Sequence, residues 1–96
     1  MLTSKQKKYL RGQSHLIQPI FQVGKAGVNE NMTTQISEAL EKRELIKVSI
    51  LQNCFEDNSI VADEIVHHTE ADLVQLIGNT IILYKESKNN KQIDLP

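Results

Sequence analysis

Apolar residues at helical spacing open the chain, and a polar capping pattern precedes them. Thr3, with Gln6 three residues later, has the form of a capping box, which marks the start of a helix. The apolar residues on one side of this helix are Leu2, Tyr9, Leu10 and Ile17. The opposite side carries Lys7, Lys8, Arg11 and His15. The pattern predicts a first helix from about Ser4 to Ser14 with an exposed basic stripe.

Alternating and helical patterns divide the rest of the chain into six further elements. Four strands are predicted by β-rich runs at Ile20–Val23, Leu45–Leu51, Asp72–Ile77 and Thr80–Lys85. Apolar positions recurring every three or four residues predict a second helix from Val28 to near Arg43 and a third helix capped within residues 56–58. Gly78 and Asn79 between the last two strands suit a type II′ hairpin.

The predicted order is α-β-α-β-α-β-β, an α/β fold with a four-stranded mixed sheet. We expect two layers with the helices on one side, because a helix that connects two strands packs on their sheet. Ninety-six residues make one domain, which we place at residues 1–86. Residues 87–96 are polar and predict a loosely held tail, which Ile93 and Leu95 are able to anchor.

Composition excludes several classes of protein. The 40% hydrophobic and 24% charged residues are typical of a folded domain rather than a disordered chain. The longest apolar stretches, such as residues 80–84, fall far short of the roughly 18 residues that cross a bilayer. Without a signal-peptide pattern, we expect a cytoplasmic protein that makes no membrane contact. The single cysteine, Cys54, leaves no internal disulfide.

Charge is distributed unevenly along the chain, although the formal net charge is only -1. Residues 1–29 contain five bases and no acid, whereas residues 30–84 contain three bases and ten acids. We expect the basic third to face a polyanion and the acidic third helix to point elsewhere. A merely solvated basic helix is the alternative, although such helices usually gain i,i+4 pairs from interleaved acids, which this one lacks.

A glycine-flanked loop lies between the first strand and the second helix. Gly24-Lys25-Ala26-Gly27 allows a backbone to approach closely, and the helix after it is expected to present free N–H groups to a phosphate. The same G-x-x-G spacing clamps nucleic-acid backbones in KH modules. The pattern is also typical of a plain strand-to-helix turn. Both interpretations stay open from the residues alone.

Other reactive residues form no recognisable catalytic constellation. His67 and His68 are adjacent, so on a helix they diverge by about 100° and match no metal-binding spacing. Cys54 lacks the second cysteine of a redox motif, and the carboxyl groups at residues 56 and 57 have no accompanying base. We therefore expect no enzyme, no metal and no cofactor.

Four blocks of the sequence together resemble a known family of RNA-binding modules. The blocks are Leu2–Arg11, Val23–Val28, Glu44–Val48 and Ile77–Lys85. They are similar to the CRM domain, named for chloroplast RNA splicing and ribosome maturation, in its stand-alone bacterial YhbY-like form. The resemblance implies a fold like the C-terminal domain of translation initiation factor 3, with the last strand between the second and the third. It also implies binding to structured RNA and association with precursors of the large ribosomal subunit.

The resemblance also assigns a candidate site. By position it places an RNA-binding loop at Gly24, Lys25, Ala26 and Gly27, and RNA-binding bases of the first helix at Lys5, Lys7, Lys8 and Arg11. We expect a monomeric, non-catalytic assembly factor that binds structured ribosomal RNA and not DNA. Base stacking is expected to contribute little, because Phe21 fits the core and only Tyr9 and Tyr84 are then left to stack.

A protein-interaction module is the alternative function. Such a module would dock its exposed sheet face or its acidic helix on a ribosomal protein or an assembly GTPase. A small metal-dependent enzyme is a third hypothesis. Salt separates the first two, because a phosphate-based complex weakens steeply with ionic strength and an apolar interface does not.

Overall fold

Three helices and four strands follow one another in the order that the sequence predicts. The computed structural model describes residues 2–96, and its elements are α1 (Ser4–Ser14), β1 (Pro19–Val23), α2 (Glu30–Arg43), β2 (Leu45–Ile50), α3 (Asn58–Thr69), β3 (Asp72–Ile77) and β4 (Thr80–Tyr84). The strands form one sheet in the order β1-β2-β4-β3. β1 runs parallel to β2, whereas β4 runs antiparallel to both of its neighbours. The α/β class, the mixed sheet and the position of the last strand are therefore confirmed.

Local capping explains where the first two helices begin. The Thr3 side chain accepts a hydrogen bond from the Gln6 amide at 3.1 Å, and the Gln6 side chain accepts one from the Thr3 amide at 3.0 Å. This is the capping box that the sequence predicts for α1. The Asn29 side chain accepts from the Met32 amide at 2.9 Å. α2 therefore begins at Glu30, two residues later than predicted.

Both faces of the sheet are covered, which corrects the expectation of two layers with all helices on one side. One face packs against α2 and α3, where Ile46, Val48 and Ile50 of β2 are buried. On the other face, Leu10 of α1 packs in a second cluster with Leu45, Val74, Ile82 and Tyr84. The crossover rule concerns helices that connect strands, and α1 precedes every strand. Its apolar side is free to cover the second face.

The C-terminal segment, for which the sequence predicts a loosely held tail, makes specific contacts with the rest of the domain. Ile93 and Leu95 pack against the cluster under α1, as the sequence allows. The Glu44 carboxylate accepts hydrogen bonds from the amides of Ser87 and Ile93 at 2.8 Å and of Gln92 at 2.5 Å. Two buried or half-buried acids near the end of α2 therefore fix the tail, since Glu41 accepts further bonds from residues 87–90.

Glu44 occupies an unusual position between α2 and β2. Its backbone has a φ of 65°, in the left-handed region that most side chains avoid, and its amide donates to the Leu40 carbonyl at 2.8 Å. Its side chain is fully buried. Burial acts to raise the pKa of the Glu44 carboxyl, but the three backbone N–H donors outweigh that effect, so the pKa is lowered.

Acid is expected to weaken the fold through these two carboxylates. Hydrogen bonds from the Lys88 amide, the Ser87 hydroxyl and the Asn89 amide lower the pKa of Glu41 from 4.5 to about 2. A lowered folded-state pKa contributes stability that is present above the unfolded-state value and is lost as pH falls towards the folded-state value. The free energy of unfolding should therefore decline between about pH 4.5 and about pH 2. Urea unfolding across this range measures the slope, and Glu41→Gln should flatten it. Equal slopes for the two proteins would disprove the assignment.

Candidate nucleic-acid interface

The Gly24–Gly27 turn follows directly on β1. The Gly27 amide donates to the Gly24 carbonyl at 3.0 Å, which closes a four-residue turn. Neither Lys25 nor Ala26 has a positive φ, so the turn is of type I. Both central residues are exposed. The turn therefore presents the Lys25 side chain to solvent at its tip.

The two glycines of the turn are under different constraints. Gly27 has a φ of 68°, and a Cβ atom there would lie 3.2 Å from the Glu56 Oε1 atom. Gly24 has no such backbone requirement, but a Cβ atom there would lie 3.3 Å from Asn53 Oδ1 and 3.5 Å from Leu51 Cδ1. Gly27 is thus required by its backbone conformation, whereas a side chain at Gly24 would only crowd a neighbouring loop.

Alanine substitutions are expected to separate these two requirements. Gly27→Ala should cost about 1 to 2 kcal/mol of unfolding free energy, because alanine is strained at positive φ. Gly24→Ala should change it by no more than about 0.5 kcal/mol, because the exposed Asn53 side chain is able to move. Urea midpoints of the two variants give the comparison. Equal destabilisation by both would contradict the assignment.

The start of α2 is only partly free to bind an anion, because one of its first amides is already bound within the chain. Val28 and Asn29 separate the turn from the helix, and the Asn29 side chain already accepts from the Met32 amide. Glu30 adds a carboxylate in the first helical turn, where it disfavours a bound anion. Within residues 2–96, the amides of Lys25 and Ala26 donate no hydrogen bond to the protein. A phosphate at this place would therefore meet the turn's own amides and the Lys25 ammonium.

The bases of α1 are available to a polyanion. Lys5 and Lys8 are exposed, and Lys7 and Arg11 are half-buried along the same helix. In the part of the chain that the structure describes, the one ion pair joins Lys91 to Glu86. The α1 bases and Lys25 therefore have no carboxylate partner within 4.0 Å.

The carboxyl end of α1 and the turn lie at one end of the sheet. Val23, the last residue of β1, pairs with Ile50 at the end of β2. Thr80, at the start of β4, pairs with the preceding residue of β2, Ser49. Ser14 and His15, at the end of α1, line a shallow cleft with Thr80. The carboxyl end of α1 therefore lies at the same end of the sheet as the turn. That all the bases form one continuous surface stays a prediction.

An acidic pair lies beside the turn, which the sequence analysis did not anticipate. Glu56 packs against Gly27 and shares a hydrogen bond with Glu64 of α3. That hydrogen bond and the negative charge of Glu64 raise the pKa of Glu56. The expectation that the acidic helix points wholly elsewhere is therefore corrected. Through Glu56, Glu64 brings α3 close to the turn.

Comparison with known proteins places the chain in a family. The family model of the CRS1/YhbY (CRM) domain matches residues 2–85, which include α1, the turn and the whole sheet. The chain belongs to the CRM domain family. The resemblance given by the four sequence blocks is confirmed.

Relatives and a solved structure match this CRM domain over its full length. YqeI of Bacillus subtilis, named a probable RNA-binding protein, is 66% identical over 96 residues, with 100% of both chains covered. A Haemophilus influenzae RNA-binding protein is 37% identical, with 99% of this chain and 95% of the relative covered. The solution structure of the hypothetical protein SAV1595 from Staphylococcus aureus is similar with a TM-score of 0.82. It is 56% identical in sequence, with 100% of both chains covered.

The aromatic residues of this CRM domain differ from the expectation. Tyr84 is only 3% exposed and packs under α1, so it is unable to stack on a base. Phe21 is half-buried against the main core, as expected. Phe55 is 84% exposed in the loop between β2 and α3. The one sequence signal for Phe55 was its position among polar residues, and the sequence analysis did not use it.

The two adjacent histidines of this CRM domain contact each other. His67 and His68 have ring centroids 5.3 Å apart in an edge-to-face arrangement. Within residues 2–96, no group of three or more His, Cys, Asp or Glu side chains is arranged to hold a metal ion. No helix in the same range has the length and apolar character needed to cross a membrane.

Proposed function

We propose that this CRM domain is a non-catalytic protein that binds structured RNA through its phosphates. The observation that carries the proposal is the set of five bases without carboxylate partners, on α1 and at the tip of the Gly24–Gly27 turn. Bases that lack an intramolecular partner gain most from a polyanion, because binding releases the counterions of the nucleic acid. The names of the relatives from Bacillus subtilis and Haemophilus influenzae support RNA as that polyanion.

The arrangement favours recognition of RNA shape over sequence. Backbone amides and lysine side chains contact phosphates, which fix the position of a protein on RNA but carry no sequence information. A helix face together with a turn at one end of the sheet suits a rigid, folded RNA in which phosphates occupy fixed positions. Structured RNA is therefore the proposed ligand class, and no binding to DNA is expected.

The proposed RNA is ribosomal, on precursors of the large ribosomal subunit. Support for this step comes from the CRM family, whose name refers to ribosome maturation and whose YhbY-like members this chain resembles. The protein would then act in the cytoplasm as a monomeric assembly factor, without a cofactor.

Crosslinking in cells tests the ribosomal proposal. The protein is crosslinked to RNA, the attached fragments are sequenced, and its sedimentation with ribosomal precursors is followed on a gradient. Crosslinks should concentrate in large-subunit RNA, and the double variant Lys5→Glu/Lys8→Glu should lose both signals. The variant Lys42→Glu/Lys88→Glu makes an equal charge change at exposed sites outside the proposed interface and serves as control. Crosslinks spread over other RNA classes without ribosomal enrichment would contradict the proposal.

A protein-docking module is the alternative function, and one of the two surfaces expected for it is buried in the structure. It required an exposed sheet face, but Leu45, Val74 and Ile82 on that face are buried under α1 and the tail. The acidic helix α3 is the surface that is left for it.

A further inference from the structure

The loop between β2 and α3 forms a wall of the Gly24–Gly27 turn. Leu51 extends the pairing of β1 and β2, with its amide donating to the Val23 carbonyl at 2.8 Å. Asn53 lies against Gly24, and Glu56 lies against Gly27. This wall, residues 51–57, therefore follows the turn along its whole length.

Phe55 is the aromatic residue of the wall, and it is exposed. Its neighbour Cys54 packs against the main core, and its other neighbour Glu56 is directed towards Gly27 and Glu64. The Phe55 side chain is left 84% exposed. Exposing a phenylalanine this fully forfeits the gain of burying its ring, and no contact in the core requires it. An exposed aromatic beside a turn with free amides is therefore a candidate binding group.

We propose that Phe55 stacks on an unpaired nucleobase of the RNA whose backbone is held at the Gly24–Gly27 turn. The inference rests on the proposed function, because the turn supplies the phosphate contact. Phe55 is adjacent in the chain to Glu56, so its Cα lies about 3.8 Å from the Cα of a residue that touches Gly27. The exposed ring is thus carried by a residue next to one that touches the turn, and the proposal is that it reaches the base of a neighbouring nucleotide.

Stacking on Phe55 requires an RNA that contains an unpaired base. A base within a continuous helix is stacked on its neighbours and offers no free face, whereas a bulged or looped base does. Phenylalanine accepts any base, since every base has a π face. The RNA recognised is therefore a folded element with an unpaired nucleotide beside a phosphate-lined helix, and recognition depends weakly on the identity of that nucleotide.

Matched RNA duplexes test the proposal with the full chain. One duplex is fully paired, the second carries a single unpaired nucleotide, and the third carries an abasic residue at the same position. Phe55→Ala and Phe55→Leu should each weaken binding to the second duplex by at least about fivefold. Both variants should leave binding to the paired and abasic duplexes unchanged, and Phe55→Trp should retain full affinity. Leucine keeps the apolar surface and removes the ring, so it separates stacking from general hydrophobic contact.

Nuclear magnetic resonance gives an independent reading. The chain has two phenylalanines, so the Phe55 ring signals are readily assigned. Nuclear Overhauser effects between the Phe55 ring and base protons should appear with the bulged duplex and be absent with the abasic one. Wild-type affinity of Phe55→Leu for the bulged duplex would overturn the stacking proposal while leaving phosphate binding intact. Failure of the wild-type protein to bind any duplex would instead overturn the proposed function.

Discussion

A Glu44→Ala variant is expected to lose about 2 to 4 kcal/mol of its free energy of unfolding. The Glu44 carboxylate is buried and accepts hydrogen bonds from the amides of Ser87, Gln92 and Ile93. Hydrogen bonds to a charged acceptor contribute more than neutral ones, and removing the acceptor leaves the donors without a partner. The loss of unfolding free energy is expected to be smaller than the summed contributions of the three hydrogen bonds. Part of the tail is able to detach in the variant, and its amides then bind water. Urea unfolding at neutral pH measures it.

Two controls show whether the tail is the cause. Glu38→Ala removes an exposed acid from α2, the helix that Glu44 follows, and should change stability by less than about 0.5 kcal/mol. In a chain that ends at Glu86, the three amides are gone, so Glu44→Ala should cost far less than in the full chain. An undiminished cost in the shortened chain would mean that the tail is not what Glu44 stabilises.

Lys25→Glu is expected to weaken binding to structured RNA by about 1 to 3 kcal/mol, or roughly 5- to 150-fold. The substitution places a carboxylate at the tip of the turn, where the phosphate is proposed to bind. Glu56 and Glu64 already lie beside the turn, so a third acid there repels the RNA backbone further. The fold should be unaffected, because Lys25 is exposed and makes no ion pair. Filter binding gives the affinities, and melting temperatures verify the fold.

Lys88→Glu is the matched control for this change. Lys88 is exposed, and its amide is bound to Glu41 near the carboxyl end of α2. The 14 residues of α2 span about 20 Å, and the turn lies near the other end of this helix. The control therefore removes the effect of net charge alone. Equal losses of affinity for Lys25→Glu and Lys88→Glu at equal melting temperatures would show that the loop is only a turn.

Local patterns in the sequence predict the elements because their causes are local. The capping box of Thr3 and Gln6 acts within four residues, and it sets the start of α1 as predicted. Alternation along β2 places Ile46, Val48 and Ile50 on one face. In the hairpin, Gly78 has a positive φ and Asn79 does not, as a type II′ turn requires.

Contacts between distant residues could not be predicted from such patterns. A glutamate such as Glu44 is usually exposed at the surface. The amides that donate hydrogen bonds to it lie 43 to 49 positions further along the chain. Nothing nearby marks it as buried. The amphipathic pattern of α1 predicts that one side is covered but does not specify which face of the sheet covers it. Leu45, on the opposite side of β2 from Ile46, and the uninterrupted apolar run of β4 were local signs of a second buried face.

The candidate site also combines features that local sequence predicts with contacts between distant segments that it does not predict. The sequence predicts the turn and the α1 bases, since their glycines and charges are visible in the residues themselves. It does not predict that residues 51–57 form a wall of the turn, which brings Phe55 and Glu56 to the site. Those two residues reach the turn through the pairing of β1 with β2, a contact between segments more than 20 positions apart.

The salt dependence of RNA binding tests the central claim most directly. With four to six phosphate contacts, the slope of log K against log salt concentration should be roughly -3 to -5 for the full chain on a folded RNA. Lys25→Glu should make the slope shallower by about one, because one phosphate contact is lost. A slope near zero would contradict a complex based on phosphate contacts.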